Sequence, residues 1–215
     1  NNPTLSSIDL TGCPELTKLV ALNSGLKSIN ISSNPALSYI SVRNSYITSI
    51  DVSSNPLLTE LYLIGTGVTS IDVSNNPLLQ CISVGNTDVS SLDVSNNPHL
   101  TRIDTDGTKI TTLDLSNNPA LVKLTLAPQM TSVDLSNNPL LEELSISYFD
   151  SMTFEPVPGT CEMASLDLSK NPLLKALTLY DCHNLNTKKV WPGFNTAGPA
   201  SNFEQDKYIV EGSTP

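Results

Sequence analysis

The chain is poor in the residues that usually carry metal or nucleophilic chemistry, with 2 His, 1 Trp and 4 Cys among 215 residues. No apolar run approaches the roughly 20 residues that are needed to span a bilayer. Basic residues are scarce as well, because 11 Lys plus Arg face 21 Asp plus Glu, for a formal charge of −10. These shortages weigh against an enzyme, against a membrane span, and against nucleic acid or anionic membranes as partners.

What the sequence has instead is one unit that recurs from end to end. A pair formed by an apolar residue and Asp or Asn marks each copy, and successive pairs are 21, 21, 21, 21, 21, 20 and 33 residues apart. The last interval equals one period plus a 12-residue insertion, so the chain holds eight units. The pairs are Ile8-Asp9, Ile29-Asn30, Ile50-Asp51, Ile71-Asp72, Leu92-Asp93, Leu113-Asp114, Val133-Asp134 and Leu166-Asp167.

Each unit divides into two half-repeats, represented by Val68 to Pro77 and by Leu79 to Val89. Both show the alternation of apolar and polar residues that is typical of a short strand with one buried face. An amphipathic helix is excluded in either half, since the run is short and a Pro interrupts it once per unit. We therefore expect short strands and little or no α-helix.

The repeat resembles the leucine-rich-repeat family, in particular the short 21-residue type of secreted and surface-attached bacterial proteins that includes the internalins. The resemblance extends over roughly Asn2 to Leu185. It implies a right-handed solenoid of about eight coils with a parallel β-sheet on the concave side, and an extracellular or cell-surface protein. A unit this small must also stack on its neighbours to bury its apolar edge. We expect the solenoid over residues 1–186, with an insertion at 147–162, and a C-terminal cap or tail over 187–215.

The resemblance also implies a role for the Asn that precedes the Pro of each unit. The family keeps an inward amide ladder there, in which each Asn donates to the backbone of one coil and accepts from the next. Cys13 occupies the equivalent position in the first unit. The ladder residues are Asn34, Asn55, Asn76, Asn97, Asn118, Asn138 and Asn171.

Outward positions differ between the two half-repeats. On the first they repeat as Ser-x-Asp-x-Ser, whereas on the second they change from unit to unit, so we place the recognition surface on the second. Tyr and Arg dominate interface energetics, which makes Tyr39, Arg43, Tyr62 and Arg102 the expected anchors. Tyr39 and Tyr62 are expected to form one aromatic patch. The alternative is an unused surface whose residues have drifted. The predicted binding residues are Tyr39, Arg43, Tyr62, Arg102, Asp104, Lys123 and Tyr180.

The aspartates of the first half-repeat form a second feature, which we name the Asp stripe: Asp9, Asp51, Asp72, Asp93, Asp114, Asp134 and Asp167. Stacking brings like charges close together, so the stripe costs stability unless something offsets the repulsion. Flanking Ser hydroxyls or a bridging divalent cation are the candidates. The segment Asp51 to Asn55 echoes a calcium loop but lacks its bidentate Glu and turn Gly. We therefore expect a solvated stripe and no metal site.

Departures from the repeat are the insertion, the cysteines and the chain ends. The insertion is aromatic and rich in Pro, which is consistent with a functional loop or with a flap over the solenoid edge. Cys161 and Cys182 lie one period apart and could form a disulfide, although spacing alone does not establish a pairing. Cys81 is expected to point outward and Cys13 inward, too far apart to pair. The chain begins inside a coil, which predicts an N-terminal cap or further repeats upstream.

Nothing in the sequence supports catalysis. Neither His99 nor His183 has a Ser or Cys placed for activation, and no phosphate-binding Gly-rich loop occurs. We predict a monomeric, non-catalytic recognition module without cofactor, whose ligand is a protein. One alternative is glycan binding, with Tyr39, Tyr62 and Tyr180 as stacking platforms. Another is a structural spacer that displays a further domain.

Overall fold

The architecture is a stack of parallel strands, one for each repeat. The structure is a computed structural model that describes residues 2–146, 161–179, 182 and 184–185, together with the backbone of 208–211. Within those residues the strands are β1 (Lys18–Val20), β2 (Tyr39–Ser41), β3 (Glu60–Tyr62), β4 (Cys81–Ser83), β5 (Arg102–Asp104), β6 (Lys123–Leu126), β7 (Glu143–Ile146), β8 (Ala176–Leu179) and β9 (Tyr208–Glu211). The same residues contain no α-helix, as the alternation predicts. Nor does the described part of the chain offer any helix that could cross a bilayer.

The register of the sheet follows the repeat. Strands β1 to β8 pair in parallel and in chain order, so Tyr39 lies opposite Lys18 and Glu60 lies opposite Tyr39. The short unit and the long insertion do not shift this register, because Glu143 still lies opposite Lys123 and Ala176 opposite Glu143. The turns therefore absorb every change in length, and equivalent side chains form straight rows across the sheet.

The core runs along the axis of the stack. The central residue of each strand points inward, and Leu61, Ile82 and Ile103 are completely buried. Apolar residues of the first half-repeat, such as Val73 and Val94, close the core from the other side. Burying one Leu or Ile side chain contributes about 1.5–3 kcal/mol, and each coil supplies several. This shared interior holds the outward side chains of the strands on a rigid support.

The first half-repeat is not a strand, contrary to the prediction from its alternation. Residues 68–73 show the expected alternating burial but pair with no strand. The cause is local: the N–H of Ser74 donates to Oδ1 of Asp72 at 2.9 Å, and the N–H of Asn76 donates to the Val73 carbonyl. These turn bonds use N–H groups that a second sheet would need. Each coil therefore has one strand and one tight turn.

The asparagine ladder is present, but its side-chain amides only donate hydrogen bonds and accept none. Nδ2 of Asn76 donates to the carbonyls of Val52 at 3.0 Å and of Asn55 at 2.9 Å, both in the preceding coil. All seven ladder residues repeat this pair of bonds, and Oδ1 of each is buried without a hydrogen-bond partner. The expected acceptance from the next coil is wrong, because backbone N–H groups there, such as that of Asn97, bond within their own turn.

A second repeated feature, which was not predicted from the sequence, is the turn that follows the strands. Asn23, Asn44 and Asn86 have φ near +50°, and Gly65 and Gly107 near +65°, at the same position of successive coils. Gly and Asn adopt this left-handed conformation most readily. A buried hydroxyl comes next in the chain, and it donates to the carbonyl three residues earlier. These hydroxyl residues are Ser24, Ser45, Thr66, Thr87 and Thr108.

The C-terminal end of the sheet is paired rather than open. Strand β9 runs antiparallel to β8, with Glu211 opposite Ala176 and Tyr208 opposite Leu179. A disulfide joins Cys161 to Cys182, the pairing that the 21-residue spacing allowed. Residues 147–160 of the insertion, Tyr180 and the rest of the predicted cap over 187–215 lie outside the described residues. The boundaries of the solenoid and cap remain predictions.

Candidate recognition face

The outward side chains of β1 to β8 form straight rows across the sheet. We use the name strand face for these rows together with the next outward residue, within two positions after each strand, such as Arg43, Gly85 or Asp106. The first row is Lys18, Tyr39, Glu60, Cys81, Arg102, Lys123, Glu143 and Ala176. The second row is Val20, Ser41, Tyr62, Ser83, Asp104, Thr125, Ser145 and Thr178. Because the rows rest on a close-packed core, their side chains have fixed neighbours.

Two tyrosines and two cations interlock at one end of this face. The ring centroids of Tyr39 and Tyr62 lie 5.5 Å apart at an interplanar angle of 44°, which confirms the predicted aromatic patch. Nζ of Lys18 sits 4.3 Å from the centroid of the Tyr39 ring, and Cζ of Arg43 sits 4.4 Å from that of Tyr62. Such cation–π contacts contribute about 0.5–1 kcal/mol each at exposed sites. We call these four residues the tyrosine–cation cluster.

The hydroxyl end of Tyr62 is anchored to its neighbours. It donates to Oε2 of Glu60 at 2.7 Å and also contacts Cys81. Burial, followed by these two hydrogen-bonding neighbours, raises the pKa of Tyr62 well above its usual value, so the phenol stays neutral. The ring of Tyr62 is thus fixed at its edge by Glu60 and over its face by Arg43.

The two unpaired cysteines differ from the prediction in their exposure to solvent. Cys81 lies in the outward row but is 7 % exposed, because Tyr62 and the neighbouring strands cover it, and this burial raises the pKa of its thiol. Cys13 is exposed, since no described coil packs against that side of the first turn. Its carbonyl nevertheless receives the amide of Asn34 at 2.7 Å, as the ladder requires.

The middle of the strand face is lined by small side chains. Ser41 and Ser83 lie in the second outward row but are only 2 % and 1 % exposed, because larger neighbours shield them. Oγ of Ser83 donates to Oδ2 of Asp104 at 2.7 Å, so the Asp104 carboxylate leans over β4. A Cβ on Gly85 would lie 3.3 Å from the Asp106 carbonyl oxygen, which is a tight contact, and 3.5 Å from both oxygens of the Asp104 carboxylate. Ser83 and Gly85 thus separate the tyrosine–cation cluster from Asp104.

The remaining predicted binding residues are not all drawn together. Arg102 is exposed in the first row, and its charge reaches the thiol of Cys81. Lys123 forms an ion pair with Glu143 on the next strand and is therefore engaged within the chain. Tyr180 is outside the described residues. Lys18 and Glu60 are not among the predicted binding residues, but Lys18 lies over the Tyr39 ring and Glu60 accepts from the Tyr62 hydroxyl.

The charge of the strand face differs from that of the whole chain. Its cations are Lys18, Arg43, Arg102 and Lys123, and its anions are Glu60, Asp104, Asp106 and Glu143. The face is therefore neutral in sum, although the chain carries −10. The acidic excess lies elsewhere, in large part on the Asp stripe, so an approaching anion meets less repulsion at the strand face.

Each aspartate of the Asp stripe is hydrogen-bonded to the backbone of its own turn. Oδ1 of each stripe aspartate accepts the N–H two residues later, as from Ser53 to Asp51 at 2.9 Å. Hydrogen bonds from the Ser hydroxyl and the Ser N–H lower the pKa of the Asp51 carboxyl, and Asp72 shows the same direction. Asp51 and Asp93 raise the pKa of Asp72 slightly in return, which is the expected repulsion. The described residues hold no group of three or more His, Cys, Asp or Glu arranged for a metal ion.

Comparisons with known proteins identify the fold through structure rather than sequence. No family model matches the chain, and no curated protein matches it. Among solved structures, a leucine-rich-repeat protein of Leptospira interrogans superposes with a TM-score of 0.71 at 17 % identity, over 86 % of this chain and 48 % of that one. The functional domain of InlJ from Listeria monocytogenes matches with a TM-score of 0.54 at 22 % identity, over 84 % of this chain and 47 % of that one.

A third solved structure, internalin C2 from Listeria monocytogenes, matches with a TM-score of 0.55 at 11 % identity, over 71 % of this chain and 72 % of that one. The chain spans about half the length of the first two of these proteins. The single-strand coils, the 21-residue register and these neighbours lead to the same result. The chain folds as a leucine-rich-repeat solenoid, like the two Listeria proteins and the Leptospira leucine-rich-repeat protein.

Proposed function

We propose that the chain is a non-catalytic recognition module that binds a partner protein through its strand face. The observation that carries the proposal is the tyrosine–cation cluster, in which Tyr39 and Tyr62 are packed together and covered by Lys18 and Arg43. Tyr and Arg are the residues most often found at binding hot spots. In the strand face they stand on a rigid sheet, next to the small side chains of β4.

The cluster is organised before any ligand arrives. Arg43 rests on the Tyr62 ring, and the Tyr62 hydroxyl is bound to Glu60, so neither side chain has much freedom left to lose. Immobilising a flexible side chain during association costs about 0.5–1.5 kcal/mol. Preorganisation of this kind favours a role in binding over an unused surface, because drift alone has no reason to produce interlocked contacts.

The same contacts favour a protein over a glycan as ligand. A sugar ring stacks on an open aromatic face, whereas Lys18 lies over the Tyr39 ring and Arg43 over the Tyr62 ring. A glycan would have to displace both cations before it could stack. A protein partner can use the cations themselves, together with the ring edges.

We also propose that the module acts outside the cell or at its surface, as a monomer and without a cofactor. The support is the resemblance to internalin-type repeats and the disulfide between Cys161 and Cys182, which is a bond typical of oxidising compartments.

The test is binding to an array of purified cell-surface ectodomains. The face variant combines Tyr39→Ala, Arg43→Ala, Tyr62→Ala and Arg102→Ala. The matched control combines Asp51→Asn, Asp72→Asn, Asp93→Asn and Asp114→Asn, which changes as many residues on the Asp stripe. We expect the face variant to lose at least tenfold in affinity for its partner and the control to keep it, given that hot-spot truncations cost about 2 kcal/mol or more. Equal binding by both variants would support a spacer.

A further inference from the structure

The strand face carries opposite charges on the two sides of its small-residue centre. On one side, Lys18 and Arg43 belong to the tyrosine–cation cluster. On the other, the Asp104 carboxylate leans over β4 toward Ser83. Between them lie Ser83 on β4 and Gly85 just after it, and these small residues leave space above β4 for a ligand that crosses the strands.

The two cations of the cluster have no anionic partner within the described residues, which points to an anion as ligand. Among the described residues, neither Lys18 nor Arg43 forms an ion pair, although the chain contains 21 acidic residues. Nε of Arg43 is shielded from solvent and makes no hydrogen bond within the described structure. A shielded donor without an acceptor is costly, and a carboxylate that engages the guanidinium is its most favourable partner.

Glu60 is the one carboxylate that faces the cluster from its own strands. Its Oε2 accepts from the Tyr62 hydroxyl, and because Lys18 and Arg43 outnumber this single carboxylate, the cluster and Glu60 together carry a net positive charge. On the other side, Asp104 accepts from Ser83 and from the N–H of Asp106, but no Lys or Arg in the described ranges pairs with it. The face thus offers one place for an anion and one for a cation.

The spacing of these two places matches an extended peptide. The cluster lies above β2 and β3, and Asp104 leans from β5 over β4, which separates the charges by about two strand intervals, or roughly 10 Å. An extended chain rises about 3.3 Å per residue, and side chains on one side recur every second residue. Opposite charges two or four residues apart therefore reach both places, between roughly 7 and 13 Å.

We infer that the strand face binds an extended segment of its partner protein that carries an acidic and a basic side chain two or four residues apart, the acidic one on Lys18 and Arg43 and the basic one on Asp104. This inference rests on the proposed function and specifies its ligand. The segment runs across the strands over Ser83 and Gly85, and the edges of Tyr39 and Tyr62 pack against it.

The experiment is a selection from a random 12-residue phage-displayed peptide library on the immobilised chain. Parallel selections use Arg43→Glu, Asp104→Lys and the control Tyr46→Ala, which removes a tyrosine that is 70 % exposed and outside the two rows of the strand face. The melting temperature of every variant is measured first, and Arg43→Lys serves as a milder second variant if Arg43→Glu fails to fold. We expect peptides with the predicted charge pair from the wild type and Tyr46→Ala.

Affinities of the synthetic peptides complete the test. We expect at least tenfold weaker binding to Arg43→Glu, recovery when the peptide's acidic residue becomes Lys, an intermediate loss with Arg43→Lys, and weakening by salt. Peptides that need Tyr39 and Tyr62 but carry no charge pair would overturn this inference and leave the proposed function standing. Peptides indifferent to every face variant, or no enriched peptide at all, would count against both. Arg43-dependent binding of an anionic glycan in place of any peptide would also overturn it.

Discussion

The asparagine ladder predicts that Asn97 stabilises the stack through its two N–H donors and not through its bulk. Asn97 is completely buried, and its Nδ2 donates to the carbonyls of Val73 at 3.0 Å and of Asn76 at 2.9 Å. Each carbonyl also accepts a backbone N–H in its own turn, so Asn97→Ala leaves neither without a partner. The cost is therefore about 1 kcal/mol for each lost bond.

The expected loss for Asn97→Ala is about 2 kcal/mol, or about 4–8 °C in melting temperature for a chain of this size. Asn97→Asp sharpens the test, because it keeps the shape but replaces the donors with a buried carboxylate facing two carbonyls, which should cost more than Ala. The exposed neighbour Asn96→Ala is the matched control. Equilibrium unfolding in urea measures all three variants. If Asn97→Asp is as stable as the wild type, or if Asn97→Ala behaves like Asn96→Ala, the donor argument is wrong.

Three further predictions concern the turns, the Asp stripe and the disulfide. Gly65→Ala should destabilise the chain by about 1–2 kcal/mol in thermal unfolding, because φ is +66° and the new Cβ meets Oδ1 of Asn44; a neutral result would contradict the turn geometry. Asp72→Asn can keep the turn hydrogen bond, since Asn30 accepts the equivalent bond in its own unit. The variant removes a carboxyl whose pKa is lowered by folding, so melting curves should show less loss of stability than the wild type as the pH falls below about 4. An unchanged acid profile would count against it. Replacing Cys161 and Cys182 by Ala should lower the free energy of unfolding by about 3 kcal/mol, as expected for a disulfide that closes a loop of about 20 residues. Mass spectrometry of the non-reduced wild type that finds four free thiols would contradict the disulfide and with it this prediction.

The sign of the pH effect follows from the direction of the shift. The hydrogen bonds of the turn favour the ionised Asp72 carboxylate, so its pKa is lower in the folded chain than in the unfolded chain. The stabilisation is complete above the unfolded value and disappears as the pH falls through the folded one. An Asn at this position has no proton to gain, which is why its variant should lack that contribution.

The backbone architecture could be predicted from the sequence because the repeat fixes it. A 21-residue period, a Pro in every unit and alternation around residues such as Ile82 and Leu61 leave little besides stacked strands. The aromatic patch followed as well, since Tyr39 and Tyr62 lie on outward positions of adjacent units. These features depend on which side of a strand a residue occupies, and periodicity carries that information.

Other features depend on how neighbouring side chains fill space, which periodicity does not encode. Cys81 points to the outward side as expected, but its exposure depends on the size and direction of Tyr62. The first half-repeat alternates like a strand, yet the side chain of Asp72 diverts an N–H that pairing would need. The left-handed turn position was not predicted, because some units have Asn there and others Gly, as in Asn44 and Gly65. Their shared conformation becomes visible only when the units are compared in register.

If recognition belongs to the strand face, footprinting of the tyrosines in a complex will locate the contact there. Hydroxyl-radical oxidation is measured by mass spectrometry on the chain alone and bound to the partner found on the ectodomain array. Tyr46, which is 70 % exposed in a turn, serves as the internal control. The account predicts that binding lowers the oxidation of Tyr39 and Tyr62 and leaves Tyr46 unchanged. Protection of Tyr46 with no change at Tyr39 and Tyr62 would contradict it.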